Sequence, residues 1–206
     1  MSSSNNMMGL IPVNDGWLSQ KFGPGHKGID IGWHNVGKCD VRAWNDGEVI
    51  AYGADAAGAW FIVLKHDNGQ LSGYWHLDKC PVLHNGDKVK KGQKIGIRGS
   101  SGNSSGIHLH FLLTDAYDPV HYSYNTMIAH TIDPLPWLYR LKTDVDFVPG
   151  VNQFNLLDLP LETREIDPAA VKKAMNESIK ELLERVYGEL GYDVKEFAIS
   201  YKLKGK

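Results

Sequence analysis

Residues 107–113 read IHLHFLL. Ile107, Leu109, Phe111 and Leu113 alternate with His108, His110 and Leu112. That period of two is the pattern of a buried strand, and it puts His108 and His110 on the same face. Two neighbouring imidazoles cost free energy to bury without partners. Either that face is solvated, or a zinc ion beside a catalytic group accounts for both rings. The run before the strand, GSSGNSSG, reads by itself as a flexible Gly/Ser linker.

The chain ahead of this strand reads as a β meander. Residues 48–52 form a strand pattern that stops at Gly53. Residues 60–66 are rich in β-branched and aromatic side chains, and residues 70–77 return antiparallel to them. Between the two lies Asp67-Asn68-Gly69, where Asn-Gly tolerates the positive φ of a tight hairpin turn. Asn85-Gly86, Lys91-Gly92 and Gly96 punctuate short strands around Val89 and Ile95. The 22 glycines suit many tight turns. The expected fold is mainly β, an antiparallel sheet, with Asp133–Leu138 as a closing segment that docks back on it.

The chain has 206 residues, enough for one core and a smaller appendage. Its composition shifts after Lys142, which predicts a first domain over 1–142 and a small α+β extension over 143–206. In the extension, Asp167 is an N-cap and Pro168 a first helical residue. Val171, Met175, Ile179, Leu182, Leu183, Val186 and Leu190 recur at helical spacing up to Gly191, so one long helix is expected over about 168–190. Its polar face carries Lys172, Lys173, Lys180, Glu177, Glu181 and Glu184. That mixture of signs argues against a basic membrane-surface helix. The apolar stripe must be covered, by the domain, a second copy or a partner. Residues 197–203 alternate as a strand would.

The formal net charge of −2 gives no case for nucleic acid or an anionic membrane as partner. No segment is long and apolar enough to insert in a membrane. The N-terminus, MSSSNNMMGLIPV, has neither the basic residue nor the apolar run of a signal peptide. Synthesis in a reducing cytosol is therefore expected, which favours two inert thiols over one disulfide for Cys39 and Cys80.

Two further segments bear polar, catalytic-type residues. His26 and Asp30 are four apart, which aligns them on one face of an extended strand; Gly25, Gly28 and Gly32 argue against a helix. Taken alone the pair also fits a surface turn. His76 ends the return strand of the hairpin. A catalytic zinc site needs three protein ligands and one open position, with a base and an oxyanion donor nearby. His26, Asp30, His76, His108 and His110 meet that need. His34, His66, His84, His121 and His130 lie outside these motifs and read as surface or structural residues.

Four segments in order, FGPGHKGIDIG, AWNDGEVIAYG, SGYWHLDK and VKKGQKIGIRGSSGNSSGIHLHF, resemble the lysostaphin-type zinc peptidases of bacterial cell walls, the M23 family. The resemblance runs from about Ile11 to Leu138. It implies one zinc ion per chain, held by His26, Asp30 and His110. It implies that His76 and His108 are the two catalytic histidines that do not bind metal. His108 would take a proton from water and His76 would stabilise the oxyanion, or the reverse. The GSSGNSSG run would shape a loop beside the groove. The substrate would be peptidoglycan peptide, cut in a stem or a cross-bridge, with glycyl and D-Ala–diaminopimelate bonds both open. Family members often carry a signal and a wall-binding module, and neither is recognisable here. That points to a bacteriophage or prophage lysin, released by a holin or carried on the virion. The extension would then serve targeting or assembly, through self-association or a virion partner. The alternative is a catalytically inactive relative that binds peptidoglycan or activates another enzyme.

Overall fold

A computed structural model describes residues 7–32, 37–117, 119, 121–141, 146–147 and 155–161. Its centre is an eight-stranded sheet: β1 (Leu18–Gln20), β2 (Ile29–Gly32), β3 (Gly47–Ala54), β4 (Trp60–Lys65), β5 (Leu71–Leu77), β6 (Lys88–Val89), β7 (His108–Thr114) and β8 (Thr131–Ile132). The order is β1-β2-β7-β5-β4-β3-β6, with β8 paired to the end of β7. All of these pairings are antiparallel. The mainly β, antiparallel expectation therefore holds.

The hairpin between β4 and β5 forms where Asn68-Gly69 predicted it. Gly69 takes a φ of 84°, and its N–H donates to the His66 carbonyl at 2.9 Å. Period-two alternation then sorts side chains to two faces. One face buries Ile29, Ile31, Tyr74, Leu77, Leu109, Phe111 and Leu113 in the main core, together with Trp44, Ile62 and Leu64. The other face buries a smaller cluster of Ala51, Val63, Leu71, Trp75, Leu112 and Met127. Asp30, His108 and His110 belong to this second face, because they alternate with core residues on β2 and β7.

The alternation is broken once where it matters for the site. On β4 and β5, Trp60 pairs with Leu77 and Ile62 with Tyr74, so Phe61 faces both Trp75 and His76. This is a β-bulge, and it leaves both Trp75 and His76 off the core face that Tyr74 and Leu77 occupy. His76 is also the one non-glycine residue with positive φ among those described, at 62°.

The closing segment docks as expected. Leu138–Tyr139 pairs in parallel with Gly9–Leu10, and Leu138 is fully buried. Between β7 and β8 lies one helix, α1 (Tyr124–Ala129), that periodicity does not announce. Ser123 caps it, and Met127 packs into the second cluster. The cysteines are free thiols.

The first compact unit runs from Met1 to Glu162, and the second from Thr163 to Lys206. Leu156 and Leu159 are buried in the main core, so the first unit extends past the boundary expected at Lys142. The reason is that composition changes where the chain leaves the sheet, whereas packing continues. The helix expected over 168–190 and the strand over 197–203 lie outside the described residues. Among the described residues no helix is long and apolar enough to cross a membrane.

Candidate active site

The site grows from the middle of the sheet. His110 on β7 lies directly across from Asp30 on β2 on one side and from Trp75 on β5 on the other. Opposed residues of an antiparallel pair point to the same face, so register alone brings these three together. His110 Nδ1 is 2.7 Å from Asp30 Oδ1, and His26 Nε2 is 3.1 Å from the same oxygen. His26 arrives by a different route from the one its spacing suggests. The strand begins only at Ile29, and His26 belongs to a tight reversal in which Gly23 and His26 exchange backbone hydrogen bonds. His26 Nδ1 donates to the Lys21 carbonyl at 3.0 Å, which directs Nε2 toward Asp30.

One ligand atom from each of His26, Asp30 and His110 lies within 4.8 Å of the others. Two imidazole nitrogens and a carboxylate are the donor set of a three-ligand catalytic zinc site. A backbone carbonyl orienting the far nitrogen of His26 is the usual support for such a ligand. The residues present fit the ion.

The remaining two histidines stand beside this cluster. His108 Nδ1 donates to the Gly106 carbonyl at 2.9 Å, and its Nε2 is 3.9 Å from Asp30 Oδ1. His76 Nδ1 donates to the Ser101 carbonyl at 2.8 Å. The two rings are 4.6 Å apart. A carbonyl only accepts, so each Nδ1 carries the proton, and each neutral ring presents a lone pair at Nε2. The Gly/Ser run is therefore no linker. Ser101 donates its hydroxyl to the Leu77 carbonyl at 2.6 Å and accepts from Trp60 N–H at 2.9 Å. Gly102 has a φ of 71°, and a Cβ there would sit 2.5 Å from Ala59, so the loop needs glycine at this close approach.

Burial and charge work against each other here. Burial opposes ionisation of Asp30, but hydrogen bonds from His110 and His26 outweigh it and hold the carboxyl well below the usual range. Burial lowers the pKa of His110 despite its bond to Asp30, and it lowers that of His108. For His26, burial also disfavours the charged ring, yet the hydrogen bond and charge of Asp30 win and its pKa rises. All five side chains line a cleft of about 360 Å³. Asn103 and Ser104 of the GSSGNSSG run line it too, as do Gln20 and Tyr124, which no sequence pattern singles out.

The other histidines separate from the site. His66 is buried and bonded at both nitrogens, to the Asp46 carbonyl at 2.7 Å and Ser72 Oγ at 2.8 Å. His130 is stacked on Tyr117 and paired with Asp115. His84 and His121 are exposed, and His34 lies outside the described residues.

The sequence and fold are matched by known proteins. The family described as Peptidase family M23 matches residues 24–122. The glycyl-glycine endopeptidase ALE-1 of Staphylococcus capitis is 37% identical over 119 residues, 56% of this chain and 30% of that protein. The murein hydrolase activator NlpD of Escherichia coli K12 is 39% identical over 101 residues, 47% of this chain and 26% of that protein. The structure of lysostaphin from Staphylococcus simulans is 28% identical, covers 74% of this chain and 60% of that one, and has a TM-score of 0.51. The chain belongs to peptidase family M23. It spans less than a third of the length of these curated relatives.

Proposed function

We propose that this chain is a zinc-dependent endopeptidase that hydrolyses peptide bonds in peptidoglycan stems or cross-bridges. The observation that carries the reading is the convergence of His26, Asp30 and His110 on one cleft with His76 and His108. His26, Asp30 and His110 would hold one zinc ion. Bound there, zinc supplies Lewis-acid polarisation of a peptide carbonyl and activation of water. His108 is set as a base: Nδ1–H is held by Gly106, burial keeps the ring neutral, and Nε2 faces the ligand cluster. His76 has the same tautomer, so a neutral His76 accepts at Nε2. To stabilise an oxyanion His76 would have to donate from Nε2, which requires a proton there as well as on the Nδ1 held by Ser101. His76 has a φ of 62°, a conformation that costs about 1–3 kcal/mol, and its ring centroid lies 4.6 Å from that of His108.

A lysin of phage or prophage type, acting on the wall after release or as part of a virion, is the setting we propose for this activity. The second reading, a non-hydrolytic activator, is motivated by the relative named an activator. A full set of ligand-type and catalytic-type side chains gives that reading no support. Release of new amino termini from purified peptidoglycan tests the proposal. Wild-type protein should release them, chelator should stop it, and added zinc should restore it. Binding to the wall with no release under any metal condition would sink the enzyme reading.

A further inference from the structure

The catalytic cleft opens into a second cavity of about 490 Å³, and the two share Asp55, Trp75 and Tyr124 as walls. Phe61 and Tyr122 complete the aromatic lining. Phe61 and Trp75 stack with ring centroids 4.8 Å apart and planes at 8°. Tyr124 tilts against Trp75 at 5.8 Å and is half exposed. The β5 bulge is what assembles this wall, because it leaves Trp75 and His76 together off the core face.

Asp55 stands between the two cavities. Its Oδ1 accepts from Ala57 N–H and Ala59 N–H, both at 2.9 Å, which fixes the carboxylate in place. Among the described residues no lysine, arginine or histidine pairs with it. A fixed carboxylate beside a cavity walled by aromatic rings matches one kind of side chain: an aliphatic stem that lies on the rings and ends in an ammonium. A carboxylate on the ligand would be repelled by Asp55, and a purely apolar side chain would make no use of it.

We infer that this aromatic cavity is a substrate subsite for an unacylated amine-bearing side chain of a wall peptide, one that ends in an ammonium without a carboxylate, beside the bond that is cut. The inference rests on the peptidoglycan-endopeptidase reading above. It adds which part of the substrate is recognised, and by which residues.

The test uses the zinc-loaded full chain and a soluble stem peptide with a free side-chain amine, beside the same peptide acetylated on that amine. Cleavage gives KM and kcat, and calorimetry with His108→Ala gives binding without turnover. Acetylation should raise the wild-type KM about three- to tenfold, the scale of one partly shielded cation contact, with little change in kcat. Asp55→Asn keeps the turn acceptor and removes the charge. It should bring the free-amine peptide to the KM of the acetylated one. Equal KM for both peptides in wild type, or discrimination that survives Asp55→Asn, overturns the subsite. Loss of both peptides alike in Tyr124→Ala, with acetylation having no effect, assigns an apolar occupant and also overturns it. Amine-dependent binding without cleavage of either peptide keeps the subsite and overturns the endopeptidase reading. Cleavage of both with equal KM does the opposite.

Discussion

The two faces of the central sheet hold histidines in different conditions. On the core side, His66 packs edge-on to Trp44, and both of its nitrogens are taken up by protein groups. Its ring is sealed in, and burial pushes its pKa down to about 4. On the cleft side, His76 and His108 each spend Nδ1 on a loop carbonyl and turn the rest of the ring to the cleft. His26 and His110 direct a nitrogen at one carboxylate oxygen. The same residue type is structural when its polar atoms are all satisfied within the fold. It is chemical when the fold orients one nitrogen and leaves the other to meet substrate or metal.

The largest effect should come from the carboxylate and ring at the centre of the cleft side. Asp30→Ala and His110→Ala should lose zinc and activity together, by about a thousandfold or more, because a three-ligand site does not survive loss of a ligand. Metal analysis beside a peptide-cleavage assay measures both. Stoichiometric zinc in both variants would break the assignment.

The core side is tested by acid. The folded pKa of His66, about 4, lies below its unfolded value of about 6.5. The unfolded chain therefore binds more protons between these values, and stability rises with pH across that window. The His66 contribution is fully present above about pH 6.5. It falls as pH drops toward 4, by about 3 kcal/mol in all. Urea denaturation of wild type and His66→Gln at several pH values reads it. A slope that is the same in both would show that His66 is not the buried neutral ring described.

Next in size are the two cleft-side histidines that are not ligands. His108→Ala and His76→Ala should keep zinc and lower kcat by ~100-fold, the scale of a general base or an oxyanion donor. If either keeps near wild-type turnover, its place in the chemistry is wrong.

The smallest effect should follow removal of residues 163–206. A chain ending at Glu162 keeps Leu156 and Leu159 in the core. It should cleave a small soluble peptide within about twofold of the full chain, since it keeps the sheet, the cleft residues and both leucines. Loss of lysis on intact walls in the same protein would point to targeting or assembly by the extension. A chain ending at Lys142 should instead unfold more readily, because it lacks both leucines. Equal stability of the two truncations would contradict the packing of residues 155–161.

What could be read from the chain alone was what depends on neighbours in sequence. The alternation over 107–113 predicted a strand and a shared face for His108 and His110. Asn68-Gly69 predicted the hairpin, and the order of four motifs predicted the family. Each rests on local sterics or on polar–apolar periodicity, which a short window carries in full. Other features depended on contacts between distant segments. Simple alternation on β5 would send His76 to the core side with Ser72 and Tyr74. The bulge opposite Phe61 sends it to the cleft, and that register is settled by how β4 and β5 pack. His26 reaches Asp30 through a turn and not along a strand. The helix Tyr124–Ala129 is too short for a periodic signal, yet it places Tyr124 on the cleft. The first unit outruns the change in composition because Leu156 and Leu159 find space in a core built by earlier residues from Ile11 to Leu138. Sequence determined which side chains could act; tertiary packing decided which of them meet, because register and burial are properties of pairs of segments and not of any one of them.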